Sequence, residues 1–357
     1  MSRGAGSLIA CDDFSGGVLG EDTPISSGRH RRPVGRVRIW LAVLALAYAT
    51  FTLILRQLPL SNNIALIVAV GSPYVAVVAV LALVLAVLER QVLVSVVAVA
   101  IVAVNVAIQV PWYYFGRPAE LGADVEIRVL SSNLRKGRAD VPRFVALARA
   151  NADVITLSEL TPDWIRRFYA TGIQSEFPYS MLVPAPGAGG FGMWSRYPLE
   201  VISPLKGGSM IASRVDVPGV RSNPIVASVH IMNALTYYGR AFEEWRQGIT
   251  AAKERMNALV EVAGSGSVIV VGDFNSTPDM RQFRDLLSNG YRDAVQETGA
   301  GFAPTFPSWP VIPPLITIDH LLTRNAAVLS IRTITIAGSD HRSLLATVGV
   351  PADKPAS

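Results

Sequence analysis

Cysteine is nearly absent from this chain: 357 residues contain one, Cys11. A disulfide framework or a cysteine-built metal site is therefore impossible within a single copy. No apolar stretch precedes Cys11, which argues against a lipoprotein-type anchor at that thiol. Charge is scarce as well. Asp, Glu, Lys and Arg make up 17% of the residues, against an ordinary share of about 25%. Basic residues exceed acidic ones by 32 to 27 overall, but from Arg117 to the end by only 24 to 22. There is no basic run interleaved with aromatics of the kind that lines a nucleic-acid groove. Nucleic acid is thus a possible partner that the sequence does not favour. No internal repeat is present.

Apolar residues fill the space that charge leaves, 50% of the chain, and they crowd between Val37 and Val110. Residues 1–36 read as a disordered cytoplasmic tail, closing on the cluster Arg29, Arg31, Arg32, Arg36 and Arg38. Val37–Leu55 is an apolar segment of about nineteen residues, enough to cross a hydrocarbon core of about 30 Å. After a polar break at Arg56-Gln57 and Pro59–Asn63, Ile64–Leu88 reads as a second span, kinked at Gly71-Ser72-Pro73. Glu89-Arg90-Gln91 predicts a tight turn and Val92–Val110 a third span. Pro111-Trp112-Tyr113-Tyr114-Phe115 would end it as an interfacial aromatic belt. Asn105 reads as a polar contact between helices. The arginine cluster holds the N-terminus in the cytoplasm. Three spans then give a multi-pass cell-membrane protein whose remainder, residues 121–350, is extracytoplasmic.

That remainder has ordinary globular composition and enough length for one sizeable core. Short apolar runs alternate with helical patterns. Val125–Ser131, Asp153–Leu157, Val268–Val271, Ile316–Leu322, Val328–Ile336 and Leu344–Val350 predict strands. Val141–Ala150, a segment opening at Thr161-Pro162-Asp163, and Arg240–Val262 predict helices. Several short strands between Pro/Gly turns fill the stretch from Tyr179 to Val229. Such strand content with interspersed helices predicts an α/β class fold, a two-sheet α/β sandwich rather than a doubly wound sheet. Residues 351–357 read as a flexible tail.

The candidate chemistry lies just past the strands. Asn133 follows Ile127–Ser131, Glu159 follows Val154–Ser158, and His230 follows Ile225–Val229. Asp273 and Asn275 follow Val268–Val271, Asp319 sits within Ile316–Leu322, and Asp340-His341 precedes the last strand. Singly, each has an ordinary explanation. Asp273 and Asn275 can shape a turn, Glu159 can be a charge at a helix start, and His230 can be a satisfied half-buried histidine. His320 shows no partner in the sequence and reads as structural; Arg196 reads as a turn anchor. Together, carboxylates, amides and an imidazole gathered at strand ends suit an oxygen-liganded divalent cation and an activated water. Metal-assisted hydrolysis is the leading reading.

Ser132-Asn133, Ser158-Glu159, Ser195-Arg196-Tyr197-Pro198, Val229-His230, Gly272-Asp273-Phe274-Asn275, Ile318-Asp319-His320 and Ser339-Asp340-His341 occur in one order. That order and those pieces resemble the endonuclease/exonuclease/phosphatase superfamily over nearly all of residues 125–350, closest to bacterial members with several membrane spans. The resemblance implies a four-layer, deoxyribonuclease-like sandwich and a Mg²⁺ or Mn²⁺ cofactor. It implies Glu159 as principal metal ligand with Asn133 and Asp340 in support, and His341 as catalytic imidazole oriented by Asp319. Asp273 would align or deprotonate the water, Asn275 would fix that geometry and contact phosphate, and His230 would donate to the phosphoryl group. Asn233 would be a further substrate contact. Either Asp273 or the Asp319–His341 pair can be the base. Thr317 stands where relatives often carry a basic residue. The implied function is a membrane-anchored phosphoesterase acting on phosphomonoesters or phosphodiesters, lipid head groups among them. An extracytoplasmic nuclease and a silent binding or scaffold domain are the alternatives.

Overall fold

The computed structural model describes residues 33–118, 124–202, 208–235 and 240–353. Arg29, Arg31 and Arg32, Leu121 and the last four residues lie outside these, so the expected tails are described only at their inner ends. The polypeptide opens with the apolar helices α1 (Pro33–Leu55), α2 (Asn63–Val70), α3 (Val75–Leu88) and α4 (Val92–Tyr114). Helix α1 begins at Pro33, four residues earlier than its apolar run. Two of these helices are long and apolar enough to cross a membrane, and α2 with α3 makes a third candidate bent by 45°. The bend falls at the predicted Gly71-Ser72-Pro73, where a 3-10 turn spans Ser72–Tyr74.

Helices α1, α3 and α4 pack on one another through small residues. Ala42, Ala49, Ala79, Ala82 and Ala98 are fully buried, which lets the backbones approach closely. At one end of this bundle Arg38 meets Glu89 at 3.0 Å. The other end is packed into the globular domain. Leu60, Leu66, Ala69, Trp112 and Tyr113 are part of that domain's core. This corrects two sequence expectations. The last helix runs through Pro111 to Tyr114, and half of the supposed aromatic belt points inward. Pro111 lies within the last turn and gives up one hydrogen bond to the preceding turn, and burial of Trp112 and Tyr113 holds that turn. Asn105 is buried, but its Nδ2 has no acceptor among the described residues, so alanine packing rather than that donor joins the helices.

Twelve strands follow, interspersed with five helices. They are β1 (Asp124–Asn133), α5 (Val141–Asn151), β2 (Val154–Ser158), α6 (Pro162–Tyr169), β3 (Tyr179–Val183) and β4 (Phe191–Ser195). Then come β5 (Leu199–Val201), β6 (Met210–Val215), β7 (Ile225–His230), α7 (Ala241–Ala263), β8 (Val268–Asp273) and α8 (Arg281–Arg284). The chain ends with β9 (Arg292–Asp293), α9 (Ala294–Thr298), β10 (Asp319–Arg324), β11 (Ala327–Thr335) and β12 (Arg342–Pro351). They form two six-stranded sheets, ordered β11-β12-β1-β2-β4-β3 and β5-β6-β7-β8-β10-β9. Period-two alternation assigns each strand two faces. Ile127, Val129, Val226, Ile269 and Val271 fill the space between the sheets. Leu130 and Ile155 face the other way, under Phe144 and Trp164 of α5 and α6, while Val268 and Val270 face Trp245 and Ile249 of α7. The result is the expected four-layer α/β sandwich. Caps fit their sequence signals: the Thr161 side chain accepts from Trp164 N, with Pro162 at the first helical position.

Candidate active site

Strand register builds the site. In the second sheet β7 and β10 flank β8, and His230, Asp273 and Asp319 are register partners at the same sheet edge. In the first sheet Asn133 pairs with Ser158, the residue before Glu159, and His341 immediately precedes β12 beside β1. Corresponding edges of both sheets therefore aim polar groups into one place. Gly272 has φ +147°, and a Cβ there would lie 2.1 Å from Val229 O, so only glycine lets β8 lie this close to β7 just before Asp273. Glu159 and Asn275 both hold left-handed backbone, φ 57° and 46°, a conformation rare for side-chain-bearing residues.

Asp273 is the hub. Its Oδ2 accepts from Asn133 Nδ2 at 3.0 Å and lies 3.7 Å from both His341 Nε2 and His230 Nε2. Its Oδ1 accepts from Asn275 N at 2.8 Å. The same Asn133 amide donates to Glu159 Oε1 at 3.2 Å, and His230 Nε2 lies 3.7 Å from that oxygen. Glu159 Oε2 accepts from Lys136 N at 2.7 Å. On the far side of the imidazole, His341 Nδ1 meets Asp319 Oδ2 at 2.9 Å. Burial pushes the Asp273 carboxyl up to about 6, against the pull of the His341 imidazole. Burial alone would push His341 down. The carboxylates of Asp319, Asp273 and Asp340 outweigh it and hold the ring up at about 10.

The model of the Endonuclease/Exonuclease/phosphatase family matches residues 130–341, the whole span from β1 to His341. The chain belongs to this family. No curated protein matches the chain at a significant level. Among solved structures, a 3′ phosphatase from Neisseria with a bound product DNA hairpin is similar at 19% identity and a TM-score of 0.51, over 64% of this chain and 100% of that one. A 3′-5′ exonuclease from Neisseria meningitidis is 19% identical at TM-score 0.50, over 63% and 100%. An AP endonuclease from Archaeoglobus fulgidus is 13% identical at TM-score 0.50, over 62% and 98%. At these identities the likeness is one of fold.

Measured against the family expectation, Asn133, Glu159, His230, Asp273, Asp319 and His341 converge. Asn275 supports from behind: besides its N–H to Asp273, its Nδ2 donates to Ile231 O at 2.8 Å. Asn233 Oδ1 accepts from Leu235 N at 2.8 Å and shapes the turn after β7. The Asp340 carboxylate faces Arg135 Nε at 3.5 Å. Thr317 is buried, its hydroxyl against Ala303 O. His320 does have a partner: Nδ1 meets Asp293 Oδ2 and Nε2 meets Ser276 O, each at 3.0 Å. It is structural through that carboxylate, which the sequence did not disclose. Arg196 anchors its turn, donating to Ala152 O and Arg149 O.

Two positioning residues escaped sequence reasoning. Thr305 Oγ1 accepts from both Ile318 N and Asp319 N at 3.2 Å, and no local pattern marks it. Ser339 Oγ donates to Asn133 O at 2.7 Å and accepts from His341 N at 3.0 Å, tying the two loops together. Ser339 lies in the Ser-Asp-His piece, where its hydroxyl was the available signal. The donor set fits a hard divalent cation. Glu159 and Asp273 aim carboxylate oxygens at one amide, and Asp273, Asp319 and His341 bring ligand atoms within 4.8 Å of one another.

Proposed function

We propose that this family member is a membrane-anchored, divalent-metal-dependent phosphoesterase that cleaves phosphomonoester or phosphodiester bonds with an activated water. The observation that carries the reading is the placement of Asp273 between an Asp-oriented imidazole and a second carboxylate. His341 Nε2 lies 3.7 Å to one side, with its Nδ1 on Asp319, and the amide shared with Glu159 lies to the other. Glu159 and Asn133 would hold Mg²⁺ or Mn²⁺, with Asp273 beside them and Asp340 at the rim. The bound cation supplies neutralisation of phosphate charge and a lowered pKa for bound water.

The protein's own groups do the rest. Asp273 is fixed by two N–H donors and orients a water through the oxygen facing His341. Asp319 fixes the His341 tautomer and favours its charged form, so Nε2 presents a proton to the phosphoryl region. His230 offers Nε2 from the opposite side for charge that develops on equatorial oxygens. Asn275 keeps Asp273 and the backbone of Ile231 at fixed separation. Three crossings by α1, the α2–α3 pair and α4, with the arginine-rich N-terminus in the cytoplasm, place the sandwich on the extracytoplasmic side. The test is turnover by the full-length protein in detergent, with Mg²⁺, Mn²⁺ or chelator, on generic phosphomonoesters, phosphodiesters, lipids and DNA. Metal-dependent hydrolysis is expected. Equal activity in chelator, or none with either metal, counts against the reading.

A further inference from the structure

The loop between β8 and α8, residues 274–280, has to hold Asp273 and Asn275 at fixed angles to the rest of the site. Asn275 sits in left-handed backbone, φ 46°, a state that persists only where the surroundings impose it. The upstream end is secured by the sandwich. Asp273 closes the β8 ladder, in register with His230 and Asp319. Trp245 Nε1 of α7 donates to Asn275 O and to Ser276 Oγ, each at 3.1 Å. His320 Nε2 donates to Ser276 O at 3.0 Å.

The downstream end is secured by the apolar helices. Among the described residues, every hydrogen bond that a side chain of residues 277–285 makes outside that segment ends on residues 56–60 or on Gln109. Asp279 accepts from Arg56 Nε at the end of α1 and from Gln109 Nε2 of α4. Arg281 Nη1 donates to Gln57 O at 3.1 Å, Gln282 Nε2 to Leu60 O at 3.0 Å, and Arg284 Nη2 to Arg56 O. Phe274, Met280 and Phe283 lie in the same core as Leu60, Leu66 and Trp112. Asp279 is the sensitive point. It is buried, both donors land on Oδ1, and Oδ2 has no partner among the described residues. Two donors from two helices fix a carboxylate against rotation, whereas a single donor leaves it a pivot.

We infer that Gln109 and Arg56 are positioning residues for the reaction. Through Asp279 they hold the downstream end of the loop, so the apolar helices set the aim of Asp273 and Asn275 besides tethering the sandwich. These roles rest on the phosphoesterase reading above and go beyond it, because they make α1 and α4 part of the catalytic unit. Neither side chain touches the reacting groups. Their influence is geometric, and misplacing a catalytic group by about 1 Å can cost about a hundredfold in rate.

The test uses the full chain in detergent. Gln109→Leu removes the second donor, suits a helix and leaves the Arg56–Asp279 charge pair intact. Mn²⁺ stoichiometry by calorimetry counts the folded sites, so that kcat is expressed per competent site on p-nitrophenyl phosphate and bis(p-nitrophenyl) phosphate. In Gln109→Leu, kcat per site should fall by about ten- to hundredfold with KM little changed. Amide exchange read by mass spectrometry should quicken over residues 274–284 and stay as it was over β1. Glu89→Gln, which breaks the Arg38 pair at the far end of the bundle, should leave kcat and the loop's exchange unchanged. An unchanged kcat per site in Gln109→Leu, even with a lower Tm, overturns the inference and leaves the helices a tether. So does an equal loss in Glu89→Gln, which would make the effect one of general bundle stability. In both cases the wild type still hydrolyses, and the phosphoesterase reading stands. If the wild type cleaves neither ester with metal, that reading falls and the positioning roles with it.

Discussion

Arg56 and Asp279 form a buried ion pair that joins the end of α1 to the loop after Asp273, which carries Asn275. The Nε–Oδ1 distance is 2.8 Å, and the side chains are 10% and 1% exposed. Gln109 of α4 donates to the same carboxylate oxygen at 2.9 Å. The Arg284 guanidinium in turn donates to the Arg56 and Pro278 carbonyls. One carboxylate thus fastens two of the apolar helices to the loop that follows β8.

Removing one member of such a pair strands the other charge in a low-dielectric place. Asp279→Ala should destabilise the full-length protein by about 3–5 kcal/mol, whereas the double replacement Arg56→Met with Asp279→Leu should cost far less. Denaturant unfolding in detergent, run as a double-mutant cycle, reads the coupling. Additive losses would show that the two side chains do not depend on each other.

Glu159 should govern metal binding. It is held by an N–H from Lys136 on one oxygen and by the Asn133 amide on the other, so its orientation is set before any ion arrives. Glu159→Gln keeps the shape and one of the two accepting oxygens while removing the charge. Metal affinity by calorimetry and turnover should fall together, each by about tenfold or more if the lost charge is worth about 1.4 kcal/mol. An unchanged metal isotherm would remove Glu159 from the ligand set.

Asp319 and His341 should behave as one unit. Each single alanine variant should lower kcat by about two to four orders of magnitude, and the double variant little further, because one partner has no task without the other. Multiplicative losses in kcat would separate them. Their charge coupling also has a signature without turnover. The folded-state pKa of His341 is raised from 6.5 to about 10. Its stabilising contribution in metal-free protein is therefore complete below about 6.5 and disappears as pH rises through about 10. The Tm in chelator should decline across that window, and His341→Gln should flatten this part of the decline. A wild-type slope that survives in the variant assigns the titration elsewhere.

The parts legible in the sequence are those set by short-range pattern. Short apolar runs disclosed β1, β2, β8, β11 and β12, and Thr161-Pro162 disclosed the start of α6. Polar residues at those runs named Asn133, Glu159, Asp273 and His341, and the runs Ile225–Val229 and Ile316–Leu322 added His230 and Asp319. Their convergence comes from register between distant strands, as when His230, Asp273 and Asp319 fall in line, and no local signal encodes it. Partners supplied across the fold stayed hidden for the same reason. Asp293 under His320, Thr305 behind Asp319 and Arg56 on Asp279 are separated by 27, 14 and 223 positions. Composition also misread Trp112 and Tyr113. An aromatic cluster at a helix end looks interfacial unless a domain packs on it.

The last prediction concerns sidedness. Arg38 and Glu89 lie together at the end of the bundle remote from the sandwich, next to where the arginine-rich N-terminus enters α1. Helices α1 and α4 both finish at the sandwich, and the α2–α3 pair returns between them. If the pair crosses with its 45° bend, the arginines stay in the cytoplasm and the sandwich lies outside. A C-terminal alkaline phosphatase fusion should then be active, and a C-terminal green fluorescent protein fusion, exported unfolded, should be dark. Adding Cys11→Ser with a single cysteine at Glu200, 78% exposed on β5, gives a fusion-free check. A membrane-impermeant maleimide should label that thiol in intact cells. Labelling only after lysis, together with a bright fluorescent fusion, would put the sandwich in the cytoplasm. The catalytic geometry would be untouched, but the substrate would have to come from the inner leaflet.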